Sequence, residues 1–231
     1  MSLPDVSIVT AAYNSAQQIE RTLESVRHQT IDKSRIEHIV VDDASTDGTA
    51  SVVDEFDAPY LRLLERDENS GNGTIPCNQG IAQAHGEYVV MLDSDDEFLP
   101  QLIGKMVTVL STDSDVDFVY SDYYEQFPSG ERTVVDTGAD ALNTVKVGIM
   151  HRTEHLDTFD GYDPEIRFSE YDLLLRYLDA GLEGYHIPEP LFVYHRQRNS
   201  LTDDEAWVEA GEKELREKYG RDVQIREYIF E

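Results

Sequence analysis

The first 110 residues alternate short apolar runs, rich in β-branched side chains, with segments whose apolar residues recur at helical spacing. The runs predict strands at Val6–Thr10, Glu37–Val41, Leu61–Leu64 and Tyr88–Leu92. The segments between and after them predict helices at Gln17–His28, Thr49–Phe56, Ile75–Ala84 and Leu99–Leu110. Strands and helices in regular alternation form βαβ units, whose strands lie parallel beneath a cover of helices. The predicted fold class is therefore α/β, with a mostly parallel central sheet flanked by helices.

The second half of the chain is less regular. Its predicted elements are strands at Phe118–Phe127 and Arg132–Asp136, a helix at Glu170–Leu178, strands at Glu183–Ile187 and Leu191–Tyr194, a helix at Asp203–Tyr219 and an edge strand at Val223–Phe230. Pro188 and Pro190 separate the two short strands, because proline cannot donate to the ladder of a sheet. No low-complexity linker divides the chain. We therefore expect one domain at 1–202, with halves at 1–110 and 111–202, and an extension at 203–231.

Acidic residues dominate the charge, since 47 Asp and Glu stand against 19 Lys and Arg, for a formal net charge of −28. Such a surface repels nucleic-acid phosphates and anionic lipid headgroups, so neither is an expected partner. One interpretation is a broadly acidic face that binds cations. The alternative is adaptation to high salt, where a Debye length of about 3 Å at 1 M makes the self-repulsion tolerable. The acids are spread along the whole chain, which favours a halophilic source.

The compartment is predicted from what the sequence lacks. It has no apolar run of about 18 residues, so no transmembrane segment is expected. Its start has no basic stretch followed by an apolar run and a cleavage site, as a secretory signal would. The single cysteine, Cys77, excludes an internal disulfide and agrees with a reducing compartment. We expect a cytoplasmic protein, with peripheral attachment to the inner face of the membrane left open.

Two acidic clusters directly follow predicted strands: Asp42-Asp43 follows the second strand, and residues 93–96 (DSDD) follow the fourth. Ligands of parallel sheets bind beyond the carboxyl ends of the strands, so both clusters would face one crevice. Asp93 and Asp95 offer the hard oxygen ligands that suit Mg²⁺ or Mn²⁺. In so acidic a chain the alternative is a solvated turn, in which Asp95 or Asp96 only caps the next helix. We interpret Asp96 as such a cap.

Three further residues have both a functional and a structural interpretation. Asp43 could accept hydrogen bonds from a base or ribose, or it could belong to the turn before the next helix. Glu170 lies in the first turn of a helix that Ser169 would cap, where a carboxylate acts as a general base or complements the helix dipole. His195 follows a strand and could meet a diphosphate, or it could simply be packed. Asp172 is predicted to be structural.

In their order and spacing these segments resemble the family 2 inverting glycosyltransferases. The segments are VSIVTAAYN, HIVVDDASTDGT, CNQGIAQAHGEYVVMLDSDDEFLP, SEYDLLLR and IPEPLFVYHRQRNSLT, from Val6 to Thr202. The resemblance implies a GT-A (Rossmann-like) fold with a smaller acceptor-side sheet. It implies a nucleotide-sugar-binding half at 1–110 and an acceptor half at 111–202. The implied reaction moves a sugar from a nucleoside diphosphate, usually UDP, to a hydroxyl of a glycan, a lipid-linked glycan or another acceptor.

The resemblance also implies roles for single residues. The implied nucleotide-binding residues are Ala11, Tyr13, Asp43, Asp93 and Ser94. Asp95 would be the more direct ligand of a Mn²⁺ or Mg²⁺ cofactor, with Asp93 in support. Glu170 would be the catalytic carboxylate, and His195 would lie in a closing loop near the diphosphate. Met150–Arg152 would form a strand that flanks the acceptor side.

The chain departs from the family pattern at three places. Ala11 stands where proline is usual, and Cys77 stands where arginine is common. Ser169-Glu170 replaces a common Glu-Asp pair, so the base would be one methylene longer. These changes keep open a degenerate homologue that binds nucleotide sugars without transferring them. A sugar nucleotidyltransferase is the other alternative, although it would need a glycine-rich loop with a basic residue where Ala11–Asn14 stands. Oligomeric state is left open, with a homo-oligomer among the alternatives.

Overall fold

The computed structural model describes residues 3–197 and 204–223, which form one mixed sheet with helices packed against its faces. The strands are β1 (Val6–Ala12), β2 (Ile36–Asp42), β3 (Leu61–Glu65), β4 (Tyr88–Met91), β5 (Glu97–Phe98), β6 (Phe118–Gln126), β7 (Arg132–Val135), β8 (Met150–Arg152) and β9 (Gly184–His195). The helices are α1 (Ile19–Arg27), α2 (Thr49–Asp54), α3 (Thr74–Ile81), α4 (Leu102–Thr112), α5 (Thr153–Thr158), α6 (Ser169–Asp179) and α7 (Glu205–Tyr219). Short 3-10 helices lie at Lys33–Arg35 and Ala141–Asn143.

The strand order is β3-β2-β1-β4-β8-β6-β9-β5, with β7 paired to β6. Strands β3, β2, β1 and β4 run parallel to one another, which confirms the α/β prediction for the first half. Strand β8 is antiparallel to both β4 and β6, and β6 is parallel to β9. The strands of the second half thus continue the sheet of the first, and β8 is the strand where the two join.

The central strands are apolar because both of their faces are covered. Strands β1, β2 and β4 are buried along almost their whole length, as parallel strands under helices usually are. Helix α3 packs very closely on β1: a Cβ at Gly80 would lie 2.4 Å from Cγ1 of Val9. A glycine is therefore needed at this contact. The close packing fixes the segment 69–73, which precedes α3, over the carboxyl ends of β1 and β2.

The prediction of two short strands around Pro188 and Pro190 was wrong. A single strand, β9, runs through both prolines from Gly184 to His195. Its register with β6 shifts on both sides of Asp122, whose partner in β9 is Pro190. Prolines are tolerated in strands at such irregularities, where no regular ladder bond depends on their missing N–H groups. The strand therefore bends without ending.

The predicted start of the fourth helix was also wrong. Residues Glu97 and Phe98 form β5, which pairs with β9, and the Leu99 amide donates to the Leu191 carbonyl at 2.8 Å. The chain is thus still extended at Leu99, and Pro100 lies outside α4, which begins at Leu102. Asp96 is not a helix cap, because β5 separates it from α4.

Two further predictions concern helix starts and the chain end. Ser169 does not cap α6 but is its first residue, and its Oγ lies 3.1 Å from Oγ1 of Thr74. Helix α7 is capped by Asp204, whose side chain accepts from the amides of the first turn. The edge strand predicted at Val223–Phe230 falls on residues 224–230, which lie outside the described residues.

Candidate active site

A cavity of about 320 Å³ opens at the carboxyl ends of β1 and β2. It is lined by Ala11, Ala12, Tyr13, Asp43, Asn69, Gly71, Asn72, Gly73 and Pro76. Three residues predicted to bind the nucleotide, Ala11, Tyr13 and Asp43, are thus brought together. The Tyr13 side chain is half exposed, whereas Asp43 is buried. The cavity therefore combines an accessible aromatic ring with a carboxylate at its base.

Asp43 is held by four donor groups. Nε of Arg66 lies 2.7 Å from its carboxylate, Oγ of Ser70 donates at 2.7 Å and the Ser70 amide at 3.1 Å. Nδ2 of Asn69 donates at 3.2 Å. Asp43 does not cap α2, since Asp47 accepts from the Thr49 amide at 3.0 Å instead. Arg66, Asn69 and Ser70 were not predicted to belong to the site.

The turn at 93–96 follows β4 and is held by α1. Oγ of Ser94 lies 2.7 Å from Oγ of Ser15, just before this helix. The Arg21 guanidinium donates to the Asp95 carbonyl, and Oγ1 of Thr22 donates to the Asp96 carbonyl at 2.9 Å. The contacts from Arg21 and Thr22 bind backbone carbonyls of the turn and do not occupy its carboxylates.

Those carboxylates are crowded. Burial raises the pKa of Asp95, and the neighbouring charge of Asp93 raises it further. Burial also raises the pKa of Asp96 well above its ordinary value, with added repulsion from Asp95 and Asp93. One Asp96 oxygen accepts from the His195 amide at 2.7 Å, whereas the other is buried without a partner among the described residues. A bound divalent cation would relieve this excess of negative charge, so the residues fit the predicted metal.

Lys146 binds a carboxylate of this turn, and Glu170 lies within electrostatic range of both Lys146 and Asp93. Nζ of Lys146 is 2.9 Å from Oδ1 of Asp93 and 3.8 Å from Sγ of Cys77. Burial raises the pKa of Glu170, while the Lys146 charge lowers it and the Asp93 charge raises it. Glu170 lies in the first turn of α6, as predicted, and is half-buried. The sequence analysis missed Lys146, whose loop carries no recognisable motif.

Residues 7–162 match the family model described as glycosyl transferase family 2. The chain belongs to this family. It is 41% identical over 105 residues to the succinoglycan biosynthesis protein ExoO of Rhizobium meliloti. The aligned region covers 46% of this chain and 29% of that protein. The chain spans less than half the length of several curated relatives that it matches.

Solved structures support the GT-A fold. S. aureus TarS 1-349 in complex with UDP-GlcNAc superposes with a TM-score of 0.75 at 20% identity, over 95% of this chain and 68% of that one. The mannosyltransferase PcManGT from Pyrobaculum calidifontis, in complex with GDP-Man and Mn²⁺, gives a TM-score of 0.75 at 20% identity. That match covers 97% of this chain and 66% of PcManGT. At this identity the likeness establishes the fold, as the resemblance to family 2 had predicted.

His195 lies at the end of β9, beside the turn at 93–96. Its Nε2 is 2.7 Å from Oε1 of Glu97, and its amide binds Asp96. The hydrogen bond from His195 is the main reason that the pKa of Glu97 is lowered. The histidine therefore ties β9 to the turn and to β5. A contact to the diphosphate stays a prediction, and residues 198–203, which follow it in the predicted closing loop, lie outside the described residues.

Asp172, two residues after Glu170, is fully buried and binds three side chains away from the crevice. Its carboxylate lies 2.9 Å from Nε of Arg176, 2.7 Å from Nζ of Lys218 and 2.8 Å from Oη of Tyr219. These contacts tie α6 to α7. They agree with the predicted structural role of Asp172, which stays a prediction.

A second group that could hold a metal ion was not predicted. It consists of Asp122 on β6, Asp136 after β7 and His186 on β9, whose ligand atoms lie within 4.8 Å of one another. Oδ1 of Asp122 already lies 2.7 Å from Nε2 of His186 and accepts from the Thr137 amide at 2.9 Å. Asp122 therefore also links β6 to β9 and to the segment that follows β7.

The membrane prediction concerns helix length and hydropathy. Among residues 3–197 and 204–223, no helix is both long and apolar enough to cross a bilayer.

Proposed function

We propose that this chain transfers a sugar from a nucleoside diphosphate donor, UDP-linked in the first instance, to an acceptor hydroxyl by inverting displacement. The observation that carries the proposal is the arrangement at one edge of the sheet. Asp43 forms the base of a cavity. Asp93, beyond β4, forms an ion pair with Lys146, and the charge of Lys146 acts on Glu170. Membership of family 2 and the UDP-GlcNAc named for TarS support it.

The nucleoside is proposed to bind in the cavity of Ala11, Tyr13 and Asp43. The Asp43 carboxylate, fixed by Arg66 and Ser70, is an acceptor suited to an N–H group of a base. Uracil offers such a group at its pairing edge, and so does guanine. Because PcManGT is in complex with GDP-Man, the choice between uracil and guanine is left to experiment.

A divalent metal, Mn²⁺ or Mg²⁺, is proposed to bind Asp95 with support from Asp93. The crowded carboxylates and the unpartnered Asp96 oxygen support such a site, and so does the Mn²⁺ named for PcManGT. When bound, the metal would neutralise the charge that grows on the departing diphosphate. A net charge of −28 would otherwise oppose the binding of an anionic donor.

Glu170 is the proposed general base. As an acceptor hydroxyl attacks the anomeric carbon, its proton passes to the Glu170 carboxylate, and the bond from that carbon to the β-phosphate oxygen breaks. The nucleoside diphosphate leaves on the opposite side, so the configuration inverts. Burial makes Glu170 a stronger base, while Lys146 favours its ionised form. Such a base contributes about 10²–10⁴-fold to the rate.

The test is a thermal-shift screen of nucleoside diphosphates and nucleotide sugars in high salt, with and without Mn²⁺. We expect a shift that requires both a nucleotide and the metal. Absence of any nucleotide-dependent shift would contradict the proposal. A degenerate homologue is the second candidate, because Cys77 is buried against Lys146 instead of offering the arginine common in the family. Slow release of nucleoside diphosphate from the donor that binds would favour the enzyme over the degenerate homologue.

A further inference from the structure

Lys146 pairs with a carboxylate of the turn at 93–96 and acts electrostatically on Glu170. Its Nζ forms an ion pair with Asp93 at 2.9 Å, and its charge acts on Glu170. Its side chain is only 22% exposed, so the ion pair is partly shielded from water. The pKa of Lys146 is lowered by burial, but Asp93, Cys77 and Glu170 together raise it well above its ordinary value. An ordinary lysine is already cationic at neutral pH, and the ion pair with Asp93 favours that form.

The backbone that carries Lys146 is anchored on both sides. Val145 and Val147 are buried in the hydrophobic cluster that also contains Phe192. Just before them, the Tyr171 hydroxyl donates to the Thr144 carbonyl at 3.0 Å. The lysine is thus presented to the crevice from a fixed base, which lowers the entropic cost of using it to bind a ligand.

The ammonium group has donor capacity left over. It carries three N–H donors. Among the described residues, its hydrogen-bond acceptors are Oδ1 of Asp93 and Sγ of Cys77, and a thiol sulfur is a weak acceptor. A ligand with an oxygen in the crevice would therefore find both a donor, Lys146, and a neighbouring acceptor, Asp93.

We propose that Lys146 is a recognition residue for the donor sugar, whose ammonium donates a hydrogen bond to a hydroxyl of the transferred ring. This inference rests on the proposed function. In an in-line displacement the sugar lies between the diphosphate and the general base. The ion pair with Asp93 and the hydrogen bond from Tyr171, the residue after Glu170, to Thr144 hold the loop of Lys146 against both the turn and α6, where the sugar would lie. A hydroxyl can accept from the ammonium and donate to a carboxylate at once, so Lys146 and Asp93 form a complementary pair around the ring.

The decisive measurement compares a nucleoside diphosphate with its own sugar conjugates. Calorimetric titrations with Mn²⁺ in high KCl would use UDP, UDP-glucose and UDP-N-acetylglucosamine, then GDP and GDP-mannose. In Lys146→Met, which keeps the length of the side chain but removes its charge, we expect the affinity for the nucleoside diphosphate to change by less than about threefold. The affinity for the matching nucleotide sugar should fall by about 10–100-fold, as expected for a lost hydrogen bond to a charged group.

Lys105→Met is the matched control. Lys105 is also a partly buried lysine in an ion pair, with Glu189, but it lies in a groove between α4 and β9. Its removal should leave both affinities unchanged. Lys146→Gln is the second variant, for use if Lys146→Met does not fold, and retained binding of the nucleoside diphosphate reports a native site in either variant.

The outcomes separate the alternatives. Equal losses for the nucleoside diphosphate and the nucleotide sugar would overturn the inference, since they would assign Lys146 to the diphosphate. Unchanged affinity for both would also overturn it. If the unmodified protein bound none of the five probes, the proposed function would fail and the inference with it. A loss confined to the nucleotide sugar supports both.

Discussion

At the scale of single residues, burial and charge give the acidic groups of the site different properties. Asp43 is buried but receives four donor contacts, including the Arg66 guanidinium, so it is a fixed acceptor. Asp95 is partly buried and Asp96 is buried, both beside other carboxylates, and their pKa values are raised. Glu170 lies between these cases, because burial raises its pKa while a lysine opposes the shift. The same chemical group is thereby suited to recognition, to metal binding or to proton transfer.

Glu170→Gln should reduce kcat at least about a hundredfold, because glutamine cannot take a proton from the acceptor. Donor affinity should not change, since the amide keeps the size of the side chain. Steady-state kinetics with the donor found in the screen, together with calorimetry, would measure both. Asp172→Asn tests the buried neighbouring carboxylate and should retain turnover if its role is structural. Unchanged turnover in Glu170→Gln would reject Glu170 as the base.

The pH dependence of turnover should report the same residue. Glu170 acts as a base only when ionised, and burial raises its pKa above the ordinary value of 4.5. The rate should therefore be level near neutral pH and fall about tenfold per unit once the pH drops below the raised pKa. A kcat profile between about pH 4.5 and 8 would measure this acidic limb. The limb should be missing from the residual activity of Glu170→Gln, and a rate that stays level down to about pH 4.5 in the unmodified protein would contradict the assignment.

At the scale of elements, the site depends on contacts that hold helix and strand ends in place. Helix α1 binds the backbone of the turn at 93–96, and β9 reaches the same turn through His195. Helix α6, which carries Glu170, is tied in turn to α7 through Asp172. The position of the proposed base therefore depends on a charge cluster that lies outside the crevice.

Asp172→Ala should lower the free energy of unfolding by about 3–5 kcal/mol, because Arg176 and Lys218 would lose a fully buried partner. Chemical denaturation at constant salt would measure the loss. Asp179→Ala is the matched control, since its ion pair with Arg221 is half exposed on both sides and should contribute less than about 1 kcal/mol. Equal effects of the two variants would show that Asp172 does not tie α6 to α7.

At the scale of the whole molecule, the electrostatic repulsion that a net charge of −28 causes is opposed by the burial of the apolar strands between helices. Many ion pairs tie elements together, yet the excess of carboxylates leaves a net repulsion across the surface. The surface charge and the proposed metal site are separate electrostatic properties. Monovalent salt screens the first, whereas the second is proposed to bind a divalent cation.

Thermal stability should therefore rise steeply between low salt and molar KCl, because screening weakens the repulsion between carboxylates. NaCl should act as KCl does, since the Debye length depends on ionic strength alone. Thermal unfolding followed by circular dichroism would measure the midpoint. A flat response to both salts, with stabilisation by millimolar Mn²⁺ or Mg²⁺ only, would instead favour the cation-binding interpretation over adaptation to salt.

The sequence by itself determined the α/β alternation and the order of most elements, because hydrophobic periodicity is a local property that reports which face of an element is buried. It also located Asp43 and the turn at 93–96 at strand ends, where the chain must leave the sheet. The strand β5 was missed, since two residues are too few for a period and pair only with β9, far along the chain. Strand β9 was divided at its prolines, because the register shift that accommodates them arises from its pairing with β6, which is also distant in the sequence.

Only the tertiary structure decided which side chains complete the site. Arg66 and Ser70 contact Asp43, and Lys146 contacts Asp93 and Cys77. Lys146 and Cys77 are 69 residues apart in the sequence. No local pattern encodes such pairs, because their formation depends on how strands and loops meet in the folded chain. The proposed roles of the carboxylates also depend on the tertiary structure, because packing sets the burial and the charged neighbours of each one.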